Sequence, residues 1–320
     1  MGTELYLRME NFLIRGGQRC GTQKGGVMHK YLRTIGFSQY HSEAEVRMLL
    51  NQLQERFIKS AGTVRLGSGD MLWEIRAELG PGLGISMSGY ADPVGELIRE
   101  NYMPYFESRE ISSDVFCSIQ RHIDREVYSG LLDDIRVGIS LIFRLSNAGE
   151  YLYRKQKLLS TNPRGIRLTG FCTSGKILLP LQKNARQRAV AKTADRVREQ
   201  MIEAARNGDE TAMENLTAED MNTYAMISRR MMKEDIYSIV DSCFMPEGIE
   251  CDIYSVIGDI LKIESRKNLL TGEEIWDFLV QTNDLPVHIC INQIDLQGEP
   301  AVGRRFKGMI WMQGAAVWEN

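Results

Sequence analysis

Val287-His288-Ile289-Cys290-Ile291-Asn292-Gln293-Ile294 is the stretch on which the fold turns. Val287, Ile289 and Ile291 alternate with His288 and Cys290, so an extended chain sends three apolar side chains to one face and the His and Cys to the other. Downstream, Phe306–Gln313 reads as a second apolar strand. Upstream, Thr271-Gly272-Glu273-Glu274 has capping-box spacing and predicts a helix through Phe278, Leu279 and Gln281. Further back, Ile236–Phe244 and Asp252–Ser265 read as strands. The plan of this region is therefore ββαββ.

An earlier region repeats the plan. Val127–Leu145 ends in the apolar run Val137–Leu145, Asn147-Ala148-Gly149-Glu150 opens a short helix, and Gly165–Thr169 and Lys176–Leu181 read as strands. Val127-Tyr128-Ser129 and Asp133 match Ile253-Tyr254-Ser255 and Asp259 at an offset of 126 residues. Two readings fit: a divergent internal duplication, or unrelated sheets that share β-patterns. Nearer the N-terminus, Ser42 and Glu45 form a capping box ahead of Val46, Leu49, Leu50, Leu53 and Phe57 at helical spacing. Met71–Leu79 and Ile85–Gly89, parted by Gly80-Pro81-Gly82, read as a hairpin. The stretch 183–206 carries seven Lys or Arg against three acids on an amphipathic helical pattern, and Thr217 caps a second helix. The expectation is an α+β chain with two mainly antiparallel sheet regions: an N-terminal α+β domain over 28–182, a helical hairpin connector over 183–233, and a C-terminal α+β domain over 234–320.

Composition removes several classes. Of 320 residues 43% are apolar and 25% charged, ordinary values for a folded chain. No run approaches the roughly 18 consecutive apolar residues that span a bilayer. The formal charge of −3 offers no global attraction to nucleic acid or an anionic membrane. The six cysteines and four histidines fall in no ligand-spaced pairs, so neither a zinc site nor a cofactor is expected, and reduced thiols point to the cytoplasm. Residues 1–27 lack signal-peptide anatomy, their longest apolar run being Phe12-Leu13-Ile14. Lys24-Gly25-Gly26 can be encoded as AAA-GGA-GGN, a ribosome-binding sequence set one codon before Met28. Residues 1–27 are accordingly read as an upstream extension, with a disordered arm as the alternative.

Three stretches carry a resemblance: Met28-His29-Lys30-Tyr31-Leu32-Arg33, Asp133-Asp134-Ile135-Arg136-Val137-Gly138, and GEPAVGRRFKGMIWMQG from Gly298 to Gly314. From Met28 to Asn320 the chain resembles an uncharacterised domain family of Gram-positive anaerobic bacteria. The resemblance implies no activity and assigns no residue a role.

Chemistry must then be sought residue by residue. Gly170-Phe171-Cys172-Thr173-Ser174-Gly175-Lys176 has P-loop spacing, but Ile177 stands where Ser or Thr must bind magnesium, and the run leads into a strand. Asn292-Gln293-Ile294-Asp295 imitates a guanine-reading motif with Gln in place of Lys. A tight turn between strands is the better account of the glycine run. Gly80-x-Gly82-x-Gly84 precedes alternating residues rather than a helix, which suits a hairpin turn. Asp133 and Asp134 point to opposite sides if extended. A Cys–His nucleophile pair among Cys172, Cys290 and His288 depends on geometry, and Met226, Met231 and Met232 suit a core.

The connection 292–307 is the richest segment. Arg304, Arg305 and Lys307 supply cationic donors for phosphate or carboxylate, with Glu299 and Asp295 to orient them. His288, on the polar face of the preceding strand, supplies a titratable group. Three functions stay open. One is a cytosolic binding or scaffolding protein without a catalytic constellation, which would leave this loop tied down internally. The second is an enzyme or binder of a phosphorylated or carboxylated small molecule. The third is nucleic-acid binding through 183–206, which the acidic balance of the whole chain disfavours. Protein partners and a small anionic ligand are both compatible with the sequence.

Overall fold

The computed structural model describes residues 30–65, 69–92, 94–122, 127–134, 136–137, 139–180, 242–247 and 252–319, with scattered positions between 197 and 218. Residues 1–27, most of the 183–233 connector including Met226, Met231 and Met232, and the part of the expected Ile236–Phe244 strand before residue 242 lie outside the described residues. The fold is α+β. No helix among the described residues is long and apolar enough to cross a membrane.

The first layer forms where the sequence places it. Ser42 Oγ accepts from the Glu45 N–H at 3.2 Å and the Glu45 carboxylate accepts from the Ser42 N–H at 2.9 Å, closing the capping box on α1 (Glu43–Phe57). Val46, Leu49, Leu50 and Leu53 turn one buried stripe toward a four-stranded antiparallel meander. Its strands, in spatial order, are β1 (Gly62–Arg65), β2 (Met71–Gly80), β3 (Leu83–Ala91) and β4 (Leu97–Phe106). Trp73, Ile75, Ala77 and Leu79 alternate toward that stripe along β2, as period-2 burial requires.

Among the described residues the second sheet holds ten strands. They are β5 (Cys117–Arg121), β6 (Tyr128–Asp134), β7 (Ile139–Leu145), β8 (Gly165–Leu178), β9 (Cys243–Pro246), β10 (Ile253–Lys267), β11 (Glu274–Thr282), β12 (Leu285–Asn292), β13 (Leu296–Gln297) and β14 (Arg305–Val317). Helix α2 (Ala148–Gln156) intervenes after β7, where Asn147 predicts it. Five of these strands close on themselves. β8 runs parallel to β12 along one edge and antiparallel to β14 along the other, while β12, β11, β10 and β14 pair antiparallel in series. The result is a closed barrel. Leu168, Cys172, Phe278, Ile289, Ile291, Phe306 and Ile310 belong to its buried apolar core. Gly170 is needed there because a Cβ would lie 2.6 Å from Ile310 Cδ1.

Three expectations are corrected. The helix from Thr271 does not form: residues 274–282 are β11, with Trp276 and Phe278 packed as strand residues. The apparent capping box instead builds the turn between β10 and β11. Asn268 Oδ1 accepts from the N–H groups of Leu270 and Thr271, Gly272 turns at φ +78°, and Glu274 pairs across the ladder with Lys267. Among its described residues the second region therefore has no α-helix between its strands, where the ββαββ plan placed one. Third, Gly170–Lys176 is neither P-loop nor turn. The two strands expected at 165–169 and 176–181 are one strand, β8, with an extra residue between Cys172 and Gly175 opposite Gly308–Ile310. The two sheets also divide near residue 110, so the larger sheet takes strands from both sides of the connector.

Candidate functional site on the outer wall of the barrel

The residues of β12 that alternate away from the barrel interior meet a crossing segment. From the last residues of β4 onward, 104–113 run as a strap over the outside of the barrel. Gln313 Nε2 donates to the Pro104 carbonyl at 2.7 Å, Thr169 Oγ1 to that of Phe106 at 3.3 Å, and Arg266 Nη2 to that of Glu107 at 2.8 Å. Farther on, the N–H of Ser112 donates to the Ile166 carbonyl at 2.8 Å, and Ser112 Oγ accepts from the Leu168 N–H at 2.9 Å. The strap thereby supplies partners along β8 beyond the reach of β12.

His288 sits under this strap, 4% exposed. Its Nδ1 lies 2.6 Å from Asp277 Oδ1, and its Nε2 lies 2.5 Å from Glu110 Oε2. Asp277 is 3% exposed and takes Arg266 Nη2 on its other oxygen at 2.7 Å. Arg266 packs 3.9 Å from the Phe106 ring centroid. It also reaches the Gly82 carbonyl at 3.3 Å, which the hairpin permits because a Cβ on Gly82 would stand 2.8 Å from its Nη1. Gly82 of the hairpin thus makes room for an arginine rather than for a dinucleotide.

Burial alone favours neutral His288, but the hydrogen bonds and charges of Asp277 and Glu110 outweigh it and raise its pKa. Glu110 shows the reciprocal balance: burial raises its pKa, and the His288 hydrogen bond and charge pull it below its ordinary value. With both ring nitrogens engaged, His288 offers no lone pair to a substrate, so it is badly placed as a general base. Among the described residues no three His, Cys, Asp or Glu side chains form a metal-binding arrangement. The Nε2–Oε2 separation is that of a hydrogen bond, too short to seat an ion with bonds of about 2 Å on each side. Cys290 shares the His288 face, yet its thiol is fully buried, its pKa pushed well up by that burial, and its Sγ faces the Thr34 carbonyl at 3.3 Å. Cys172 lies in the barrel core, pushed up to about 12 by burial. Neither is an activated nucleophile.

The 292–307 connection is arranged differently. Asn292 Oδ1 accepts from the Ile294 N–H at 3.3 Å and starts the 3-10 turn Gln293–Asp295. Asp295 is held by Arg33 through two hydrogen bonds of 2.6 Å each. Arg304 Nη1 donates at 2.6 Å to the backbone carbonyl of Glu299, not to its carboxylate. Arg305 is 4% exposed and donates from Nε to the Leu179 carbonyl at 3.1 Å; burial lowers its pKa. Lys307 stands directly opposite Lys176 in the β14–β8 ladder, and Gln297 is the next residue in that row. The structure does not gather the six sequence-selected residues. His288 pairs with Asp277 and Glu110, Asp295 with Arg33, and Arg304 with a main-chain oxygen.

Asp133 and Asp134 do point to opposite sides. Asp134 is buried and holds Arg136 Nε at 2.9 Å and Ser113 Oγ at 2.6 Å, whereas Asp133 pairs with Ser140 at the surface. Sequence reading missed Asp277, Arg266 and Glu110. Asp277 had a usable signal, as the polar residue within Ile275–Val280 once that run is read at period 2. Glu110 had none, lying 178 residues from its partner.

Comparison with curated proteins and with solved structures returned no match. The family model described as "Domain of unknown function, E. rectale Gene description (DUF3881)" matches residues 32–314. The chain belongs to that family of unknown function.

Proposed function

We propose that this chain is a non-catalytic binding or scaffolding protein of a reducing compartment. One observation carries the reading: the side chains with chemistry to offer are spent on internal partners. His288 has a carboxylate on each nitrogen, Asp277 is shared with Arg266, Asp295 is forked by Arg33, and Arg304 folds back onto its own loop. A catalytic centre needs a reactive atom presented to a cleft, and these are turned inward. Free thiols at Cys117, Cys172, Cys243 and Cys290 support the compartment. Beside the tied loop, Val302 and Leu261 stand 65% and 47% exposed, brought next to each other by the backbone pairing of Gly303 and Arg304 with Ile260. Apolar side chains of that exposure suit a surface that works by contact.

A second reading rests on the row Gln297–Lys176–Lys307. Two lysines side by side on neighbouring strands, Lys176 being exposed, offer an anion two positive charges in one place. A thermal-shift screen of nucleotides, sugar phosphates and small carboxylates separates the two. The scaffolding reading expects no compound to raise Tm by more than about 1 °C at millimolar concentration. A compound that stabilises the wild type and loses its effect in Lys176→Ala would overturn it in favour of the anion site.

A further inference from the structure

We propose that His288 is a proton-operated latch that fastens the strap 104–113 to the outer wall of the barrel. A neutral imidazole has one N–H, yet His288 places both nitrogens within hydrogen-bond distance of carboxylate oxygens from two different elements: Asp277 on β11 at 2.6 Å and Glu110 on the strap at 2.5 Å. Two such contacts require two N–H groups, or a proton on one of the acids. Asp277 Oδ2 accepts from Arg266 at 2.7 Å and its Oδ1 accepts from Nδ1–H. The second proton lies between Nε2 and Glu110.

That proton is the removable one. Asp277 is nearly inaccessible, whereas the Glu110 side chain is 35% exposed and opens to solvent. When Nε2 loses its proton, its lone pair faces a carboxylate oxygen at hydrogen-bond distance, and attraction becomes repulsion. The other charged neighbours allow Glu110 to leave. Lys262 Nζ lies 3.9 Å from Glu110 Oε1 and 2.7 Å from Glu264, and Arg109 lies 4.0 Å from Glu264. Glu110 therefore has a cation outside the latch to turn to. Thr169 and Cys290, on β8 and β12, face the same wall but hold backbone carbonyls, of Phe106 and Thr34. The bonds at Pro104, Glu107 and Ser112 come from Gln313, Arg266 and the Ile166 backbone rather than from His288, so deprotonation frees the middle of the strap, residues 108–111, while its ends stay attached.

The sign follows from the raised His288 pKa. The latch is closed below the ordinary histidine value and opens as pH rises through the folded-state value. The test is hydrogen exchange of peptides spanning 107–113 across pH 5.5–10, corrected for intrinsic exchange and referenced to α1, with the His288 ring followed by NMR. The expected result is a fall in strap protection that tracks the ring titration, about tenfold for each pK unit of coupling between the two. Glu110→Gln, whose amide can bond to either form of the ring, should remove the pH dependence of strap exchange and lower the His288 midpoint. Strap protection that stays flat while His288 titrates would overturn the latch, as would a ring that keeps both protons up to pH 10. Should Glu110→Gln fail to fold, the wild-type profile alone still decides between those outcomes.

Discussion

Phe278 and Asp277 are neighbours on β11 and sit on opposite walls of the same barrel. The inner wall is apolar and held by shape: Phe278 packs on Phe306 at a 6.0 Å centroid distance and on Trp276 at 5.9 Å, with no solvent exposure. The outer wall is held by charge: Asp277 binds His288 and Arg266, and through them the strap. The difference teaches that one strand can contribute to two stabilising systems with unlike dependence on solution conditions. Apolar contact is indifferent to protons. A buried ion network depends on them.

Substitutions on the two walls put that contrast at risk. Phe278→Ala should cost about 4 kcal/mol, from lost transfer energy and the cavity left between Phe306 and Trp276, and denaturant melts should show the same loss at pH 6 and pH 9. Asp277→Ala should cost about 3 kcal/mol at pH 6, because it strands Arg266 and a protonated His288 together. The second loss should shrink as pH rises. His288 has a raised folded-state pKa, so the stabilisation it brings is complete below pH ~6.5 and declines through the folded midpoint. Equal shrinkage for both variants would abolish the distinction between the walls.

Smaller effects sharpen it. Ser42→Ala removes the Oγ acceptor of the capping box on α1 and should cost about 1 kcal/mol at either pH. Arg304→Ala exchanges a half-buried arginine bonded to a main-chain carbonyl and should change stability by less than about 0.5 kcal/mol in thermal melts. A larger loss there would mean that the 292–307 loop is a third stabilising system rather than a surface feature.

Local rules made much of the first layer legible. The capping box at Ser42, the alternation along β2 and β3, and the glycine turn between them each depend on residues within a few positions of one another. The α+β class was readable for the same reason. Barrel closure was not, because it depends on pairings such as Gly165 with Val317, which no periodicity reports. The Thr271 misreading shows the converse. A capping-box spacing is only four residues, and Asn268 and Gly272 turned it into a hairpin end once the strand pairing of Lys267 with Glu274 was available. At the site, His288 was visible as a polar residue on an apolar strand. Its meaning required Glu110 and Arg266, brought in by the strap and by β10. Arg304 and Arg305 looked alike in sequence and ended in different surroundings, one half-buried at the end of a turn closed on Ala301 and one buried as the first residue of β14.

β8 has one further consequence, for the order in which a ribosome delivers the chain. It is made early, yet its two barrel neighbours, β12 and β14, begin 107 and 127 residues after its last residue, Leu178. Until they emerge, a fourteen-residue strand with apolar side chains waits without its permanent partners on either edge. A message cut short before residue 305 would release a chain in which β8 and β10 lack the strand that joins them. Such a product would carry open edges of the kind that pair with other chains, so for this protein incomplete synthesis is a route to aggregation rather than to a smaller folded domain.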